Sequence, residues 1–212
     1  MVFVDETPFR VFDTRHIGRA PVGQRAIVRR RRVRTDSVTA ITAISEAWGV
    51  VHVQFVLGGV TADVFRVFLS DLFETLRGLT SEAVLLITDN VQFHKAAQVV
   101  STIGESGHRV LYTAPWSCEL NPIEYVFGFV KSRVRVPPDV SNTRDALPYL
   151  VEAFRSATRV EVARTVRFVT TVLFSRAWES RDLQLRATLR DIGSGTGNDI
   201  DMSERSETED DF

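Results

Sequence analysis

Cysteine and lysine are almost absent from this chain. Cys118 is the single cysteine among 212 residues, which excludes an internal disulfide and any zinc site built from several cysteines. No apolar run approaches the roughly 20 residues that a membrane-spanning helix needs. The first residues, MVFVDETPF, also lack the basic start and long apolar stretch of a secretory signal. These absences predict a protein without disulfides or membrane spans, located inside the cell.

Positive charge is carried almost entirely by arginine. Only Lys95 and Lys131 are lysines among the 26 basic residues, and six arginines fall within RAIVRRRRVR, residues 25–34. The planar guanidinium group suits contacts with phosphates. A GC-rich genome would also explain the overall bias towards arginine. The local run of arginines is equally compatible with a nuclear-import signal or with the solvated tip of a hairpin. The net charge of −1 does not by itself indicate nucleic-acid binding.

Hydrophobic patterning predicts a mixed α/β sheet. Segments rich in Val, Ile and Thr occupy 1–4, 34–45 and 49–59, and the last two fit an antiparallel pair. Two apolar segments of strand length follow at 82–88 and 109–113, with helical patterns after each. This order predicts three antiparallel strands and then two parallel strands, flanked by helices.

Helical periodicity is strongest between Thr61, a predicted N-cap, and Gly78, a predicted stop. The residues after 193 are mostly Gly, Ser, Thr and acidic, so they predict a disordered acidic tail. Further helices are predicted at 95–108, 121–135, 143–157, 159–175 and 176–192. The predicted organisation is a core at 1–136, a C-terminal helical extension at 137–192 and the tail at 193–212.

Three carboxylates stand where elements of the predicted sheet begin or end. Asp5 follows the first strand in FVDET, Asp89 follows the fourth in LLITDN, and Glu124 opens a helix in NPIE. Each has an ordinary structural explanation, because aspartates commonly start turns after strands. Asn121 followed by Glu124 at the third helical position is a capping-box pattern. Local physics alone favours the capping role for Glu124.

Taken together, the same carboxylates predict a metal site. Ligand sites of α/β folds form beyond the carboxyl ends of their strands, where Asp5 and Asp89 are predicted to lie. A helix that starts after the fifth strand brings Glu124 to the same edge. Crowded carboxylates either take up protons or bind hard cations such as Mg²⁺. Two such ions can activate water and stabilise the leaving oxygen of a phosphodiester.

These segments resemble the catalytic core of Tc/mariner-like DDE transposases. FVDET, LLITDNVQFHK and APWSCELNPIEYVFGFVKSRVR are similar to the motif blocks of that superfamily, and the 34 residues from 90 to 123 match its Asp–Glu spacing. The resemblance covers residues 1–136. It implies a ribonuclease-H-like fold for this catalytic core, with Asp5, Asp89 and Glu124 as the catalytic ligands of two Mg²⁺ or Mn²⁺ ions.

The resemblance also implies a reaction and its partners. Water cleaves a phosphodiester at a transposon end, and the freed 3′-hydroxyl then attacks target DNA. DNA is the expected partner, homodimerisation is left open, and neither a membrane nor a small-molecule cofactor is expected. The expected location is the nucleus in a eukaryote and the cytoplasm otherwise. Candidates for positioning the ligands or contacting phosphate are Asn90, His94 and Glu6, and candidates for contacting the DNA backbone are Arg29, Arg30, Arg31, Arg32 and Lys131.

The chain departs from the family pattern in two ways. WSCEL places Cys118 and Glu119 where the family often has proline and aspartate, which loosens a loop beside Glu124 without removing a ligand. The helix-turn-helix modules that precede the core in this family do not fit between Met1 and Asp5, which counts against autonomous, sequence-specific transposition. Two hypotheses follow. The retained carboxylates favour a competent nuclease core, and the missing module favours a transposon-derived remnant that binds nucleic acid or protein without cleaving.

Overall fold

The computed structural model describes residues 1–9, 19–25, 27, 37–115, 117–137, 139–140, 142–177 and 179. Its strands are β1 (Val2–Phe9), β2 (Val38–Ser45), β3 (Gly49–Leu57), β4 (Leu85–Thr88) and β5 (Arg109–Tyr112). They form one sheet with the spatial order β3-β2-β1-β4-β5. β1, β2 and β3 pair antiparallel, whereas β4 and β5 run parallel to β1. The predicted order of antiparallel and parallel strands is therefore confirmed.

Helices cover both faces of this sheet. Thr61 caps the first of them as predicted, because its hydroxyl accepts a hydrogen bond from the backbone N–H of Val64. The predicted helix at 95–108 is instead a 3₁₀ turn, Gln92–Lys95, followed by a shorter α-helix. No helix in the described part of the chain is long and apolar enough to cross a membrane. The α-helices are α1 (Ala62–Arg77), α2 (Ala97–Glu105), α3 (Pro122–Arg133), α4 (Thr143–Arg155) and α5 (Arg159–Phe168).

Alternation along β1 divides the core into two clusters. Val2 and Val4 are buried with the apolar faces of α1 and α2, whereas Phe3 and Phe9 are buried with α3, α4 and α5. Successive side chains of a strand point to opposite faces of the sheet. The Asp5 side chain therefore lies on the face that α3 covers, and the Glu6 side chain lies on the face that α1 covers.

The predicted end of the first strand at Asp5 is wrong. β1 continues to Phe9, because β2 provides an antiparallel partner from Phe3 to Phe9. The parallel pairing with β4 involves only Val2 and Phe3, and Phe3 lies opposite Ile87. Asp5 lies two residues after Phe3, and Asp89 lies two residues after Ile87, so the two aspartates occupy matching positions in this register. Asp5 is therefore paired with β2 but lies beyond the last residue of β1 that pairs with β4.

The helices α4 and α5 belong to the same core as the sheet. Leu150 of α4 and Val162 of α5 are completely buried in the cluster that contains Phe3. Met1 to Phe174 form one compact unit. The domain boundaries predicted from the sequence remain predictions. Nearly all of the predicted helix at 176–192 and the whole tail at 193–212 lie outside the described residues.

Candidate active site

A cleft of about 560 Å³ opens beyond the carboxyl ends of β4 and β5. Asp5 reaches it from the middle of β1, Asp89 from the residue after β4, and Glu124 from the first turn of α3. The residues that follow β5, Thr113 and Ala114, form part of its wall. The structure therefore brings together the three carboxylates that the sequence singles out.

Asp5 is the most buried of these carboxylates, with 7% of its surface exposed. Its Oδ1 accepts a hydrogen bond of 2.8 Å from the backbone N–H of Glu6, and its Oδ2 accepts one of 2.7 Å from the side-chain amide of Asn121. Burial, followed by the negative charges of Glu6, Asp89 and Glu124, raises the pKa of Asp5 to about 8. A buried carboxyl group surrounded by like charges retains its proton unless a cation compensates the charge.

Asp89 is held by a buried histidine. The Nδ1 atom of His94 lies 2.7 Å from Oδ1 of Asp89, and the Nε2 atom lies 2.8 Å from Oε1 of Glu6. The Oδ1 atom of Asp89 also accepts a bond of 3.4 Å from the backbone N–H of Val91. Burial tends to raise the pKa of Asp89, but the hydrogen bond and charge of His94 lower it overall. The Oδ1 atom of Asp89 therefore already has two protein partners, His94 and the backbone of Val91.

His94 is completely buried in the 3₁₀ turn after β4. Its ring packs against Phe65 of α1, with 4.2 Å between the ring centroids. Burial alone lowers the pKa of His94, but hydrogen bonds to Asp89 and Glu6, together with their charges, raise it to about 9. At neutral pH the ring is therefore an imidazolium that donates to one carboxylate from each nitrogen. This contact links neighbouring strands β1 and β4.

The capping box predicted at the start of α3 does not form. The Oδ1 atom of Asn121 accepts from the backbone N–H of Ile123, at 3.4 Å, instead of from that of Glu124. The Glu124 side chain is exposed, and it makes no hydrogen bond to the described residues. The Asn121 amide is turned towards Asp5, so the helix start and β1 are joined at the cleft.

The capping pattern in the sequence predicts that Asn121 shapes the helix start, but it does not predict the contact of Asn121 with Asp5. A signal for this contact exists in the residue type. Asparagine, aspartate and serine all offer a capping oxygen, but only asparagine leaves an amide NH₂ group free to donate elsewhere. An Asn cap next to a predicted carboxylate site therefore indicates a second hydrogen-bond partner.

The other candidate residues lie in different surroundings. Asn90 is exposed and lines the cleft beside Asp89, and Cys118 lies exposed on the same wall. Lys131 is exposed on α3, and its Nζ atom lies 5.6 Å from the ring centroid of Phe9. The run from Arg29 to Arg32 lies outside the described residues.

The donor set at this cleft fits a hard divalent cation. Mg²⁺ and Mn²⁺ prefer carboxylate oxygens, and a bound cation would displace the proton that Asp5, with its raised pKa, otherwise retains. Thr42, the cross-strand partner of Asp5, has a buried hydroxyl group without a hydrogen-bond partner in the described part of the chain. Among the described residues, however, no three His, Cys, Asp or Glu side chains stand close enough to hold a metal ion.

Comparison with solved structures identifies the fold. The Mos1 transposase paired-end complex with the left transposon end is similar at 20% identity and a TM-score of 0.66, over 79% of this chain and 51% of that one. The Mos1 paired-end complex with Mn is similar at 20% identity and a TM-score of 0.64, over 79% and 52% of the chains. This chain thus spans about half the length of the transposase in those complexes.

The catalytic domain of Mos1 mariner transposase is similar over 79% of this chain and 76% of that domain, at 16% identity and a TM-score of 0.57. The mixed sheet flanked by helices is therefore the ribonuclease-H-like fold that the resemblance implies. Comparison with curated proteins gave no match. A family profile described as DDE superfamily endonuclease matches residues 1–145. Because that match covers more than half of the chain, the predicted membership is confirmed, and the chain belongs to the DDE superfamily of endonucleases.

Proposed function

We propose that this chain is the catalytic core of a metal-dependent DNA endonuclease and strand transferase of the Tc/mariner type. The single observation that carries the proposal is the meeting of Asp5, Asp89 and Glu124 in one cleft. These residues are 84 and 35 positions apart along the chain, so no local structural role requires them to meet. Two Mg²⁺ or Mn²⁺ ions are proposed as cofactors, and DNA as the substrate.

Each proposed ligand is presented differently by the protein. Asn121 donates a hydrogen bond to Oδ2 of Asp5, and His94 contacts Oδ1 of Asp89. The exposed Glu124 side chain makes no such contact, so it can change its conformation to coordinate an ion. Bound ions would activate the attacking water or 3′-hydroxyl group and stabilise the leaving oxygen of the phosphodiester. The positively charged His94, clamped by two carboxylates, keeps the second oxygen of Asp89 available for coordination.

Nicking of supercoiled plasmid DNA tests this proposal. We expect weak and largely sequence-independent conversion to the open circular form in Mg²⁺ or Mn²⁺, and none in EDTA. The chain's own carboxylates provide the physical reason, since without a cation they repel the phosphate of the substrate. An absence of nicking in both metals would favour the non-catalytic alternative, a remnant that binds nucleic acid or a protein partner.

Glu6 provides a test of ligand positioning. Glu6→Ala removes the acceptor from Nε2 of His94, so the imidazole loses one of the two anchors that fix its orientation towards Asp89. Loss of such a supporting contact typically lowers metal affinity or activity by about 10- to 100-fold. We expect that loss in the apparent Mg²⁺ affinity, measured by titrating the nicking rate with Mg²⁺.

The matched control is Glu6→Gln, because its side-chain oxygen still accepts from His94. It should retain most of the Mg²⁺ affinity. Equal affinities for the parent and Glu6→Ala proteins would show that His94 orients Asp89 without help from β1.

A further inference from the structure

Thr42 has a buried hydroxyl group that the fold leaves without a partner. None of its surface is exposed, and its Oγ1 atom makes no hydrogen bond to the described residues. Burying a hydroxyl group in this way costs stability, because its bonds to water are lost and are not replaced. The other hydroxyl groups of β2 are paired, since Thr39 donates to the carbonyl oxygen of Gly58 and Ser45 accepts from a backbone N–H in the following turn. The packing of the strand therefore does not explain Thr42.

The alternation of β2 places the Thr42 side chain on the face of the sheet that α3 covers. Ala40 and Ile44, two residues away on either side, belong to the core cluster on that face, whereas Ile41 belongs to the other cluster. Asp5 is the direct antiparallel partner of Thr42 on β1, and its side chain lies on the same face. Directly opposed Cβ atoms of two antiparallel strands are about 4.5–5.5 Å apart. Rotation of the side chains therefore brings the hydroxyl group within reach of the Asp5 carboxyl group.

The Asp5 carboxylate has room for another hydrogen-bond donor. An ionised carboxylate offers about four lone-pair sites, divided equally between its oxygens. The backbone N–H of Glu6 uses one site on Oδ1, and the amide of Asn121 uses one on Oδ2. One of the remaining sites can coordinate a cation, and another can accept from a hydroxyl group. Among the described residues, Thr42 carries the only buried side-chain donor that has no partner.

We propose that Thr42 is a positioning residue of the cleft, whose hydroxyl group donates to Asp5 when that carboxylate coordinates a cation. This hydrogen bond fixes the orientation of the carboxylate, so that a free lone pair of Asp5 is directed into the cleft. The stability that the buried hydroxyl group costs is then offset by tighter binding of the ion. The inference rests on the proposed nuclease function and adds a residue to its metal site.

Thr42→Val keeps the shape of the side chain and removes its hydroxyl group. In EDTA the melting temperature should rise by about 2–4 °C, because the penalty for burying an unpaired hydroxyl group disappears. The affinity for Mn²⁺, measured from the electron paramagnetic resonance signal of the free ion, should fall by about 10- to 100-fold, as is typical when a supporting contact is lost. These effects have opposite signs, so a general loss of folding cannot produce both.

Thr42→Ser makes the converse change. It keeps the hydroxyl group and removes a buried methyl group, which should lower the melting temperature by about 2–4 °C. Its affinity for Mn²⁺ should remain close to that of the parent protein. An equal loss of affinity in Thr42→Ser and Thr42→Val would assign the effect to packing, and would overturn the inference.

Thr39→Val is the matched control, because it makes the same substitution on the same strand. The Thr39 side chain lies on the opposite face of the sheet, and its hydroxyl group already has a partner in the carbonyl of Gly58. Loss of that hydrogen bond should lower the melting temperature. The affinity for Mn²⁺ should equal that of the parent protein.

Two further results would overturn the role of Thr42 while leaving the nuclease function intact. A lower melting temperature of Thr42→Val in EDTA would show that the hydroxyl group has a structural partner. An affinity of Thr42→Val for Mn²⁺ equal to that of the parent would show that the hydroxyl group does not act on Asp5. A parent protein that neither binds Mn²⁺ nor nicks DNA would overturn both this inference and the proposed function.

Discussion

The Asp89→Asn protein is expected to lose metal-dependent DNA nicking by about a thousandfold or more, a loss typical of removing a central catalytic group. The substitution is well matched to the structure. The Oδ1 atom of Asp89 accepts the bonds from His94 and from the backbone of Val91, and an asparagine oxygen can accept both. Only the second oxygen and the negative charge are lost. The fold should therefore persist while metal binding fails.

Glu124→Gln should have a comparable effect for a simpler reason. The Glu124 side chain is exposed and makes no hydrogen bond to the described residues, so its replacement removes a charge from the cleft without disturbing a packed neighbour. Glu119→Gln is the matched control, since Glu119 is an exposed acid in the adjoining 3₁₀ turn that does not line the cleft.

Rates are measured on supercoiled plasmid in Mg²⁺ and in Mn²⁺, with circular dichroism to verify folding. Asp89→Asn and Glu124→Gln should be inactive in both metals, and Glu119→Gln should match the parent. Equal nicking by the parent and the Asp89→Asn protein would contradict the assignment of Asp89 as a ligand.

The strand order and the position of the cleft follow from rules that operate on the sequence itself. A continuous apolar run such as LLIT predicts a central strand, and the residue after it then lies at the sheet edge where ligand sites form. These rules are sufficient to predict the positions of Asp89 and Glu124 at one edge of the sheet. They also predict that Asp5 lies near that edge, but not that β1 continues past it, because β2 supplies hydrogen bonds well beyond the position where polar residues suggest an end.

The contacts that hold these carboxylates in place do not follow from local sequence patterns. Glu6 and His94 are 88 residues apart, and their hydrogen bond depends on the parallel register of β1 and β4. No local pattern encodes that register. Similarly, Asn121 can cap α3 with its oxygen whether or not its amide meets Asp5. Sequence periodicity gives the face on which a side chain lies, but the partner that it meets there is set by the tertiary structure.

The stability of the metal-free protein should fall as the pH rises from about 5 to about 8. The pKa of Asp5 is 3.8 in an unfolded chain and about 8 in the fold, so between these values the native state holds a proton that the unfolded state has lost. Stability then decreases with pH by up to about 1.4 kcal/mol per unit for this group. His94, whose pKa rises from 6.5 to about 9, adds a loss of the same sign above pH 6.5.

Asp89 acts in the opposite direction, but only in acid. Its lowered pKa contributes stability that is present above 3.8 and is lost as the pH falls through its folded value. Maximum stability in EDTA is therefore expected near pH 4, between the acid limit set by Asp89 and the decline that Asp5 starts and His94 adds to above pH 6.5. Urea denaturation at a series of pH values measures this profile.

Mg²⁺ should reverse the decline, because a bound cation replaces the proton on Asp5. At a concentration of about 100 times its dissociation constant, a ligand stabilises a protein by roughly 2.7 kcal/mol, or about 5–10 °C for a chain of this size. We expect that gain at pH 8 and a much smaller gain at pH 5. In Asp5→Asn, the slope of stability against pH should flatten and Mg²⁺ should have little effect. Its absolute stability is a poorer readout, since the new amide faces the NH₂ group of Asn121. A metal-free stability that is constant or increases between pH 5 and 8 would contradict the raised pKa of Asp5, and an equal Mg²⁺ gain at both pH values would mean that the ion binds elsewhere.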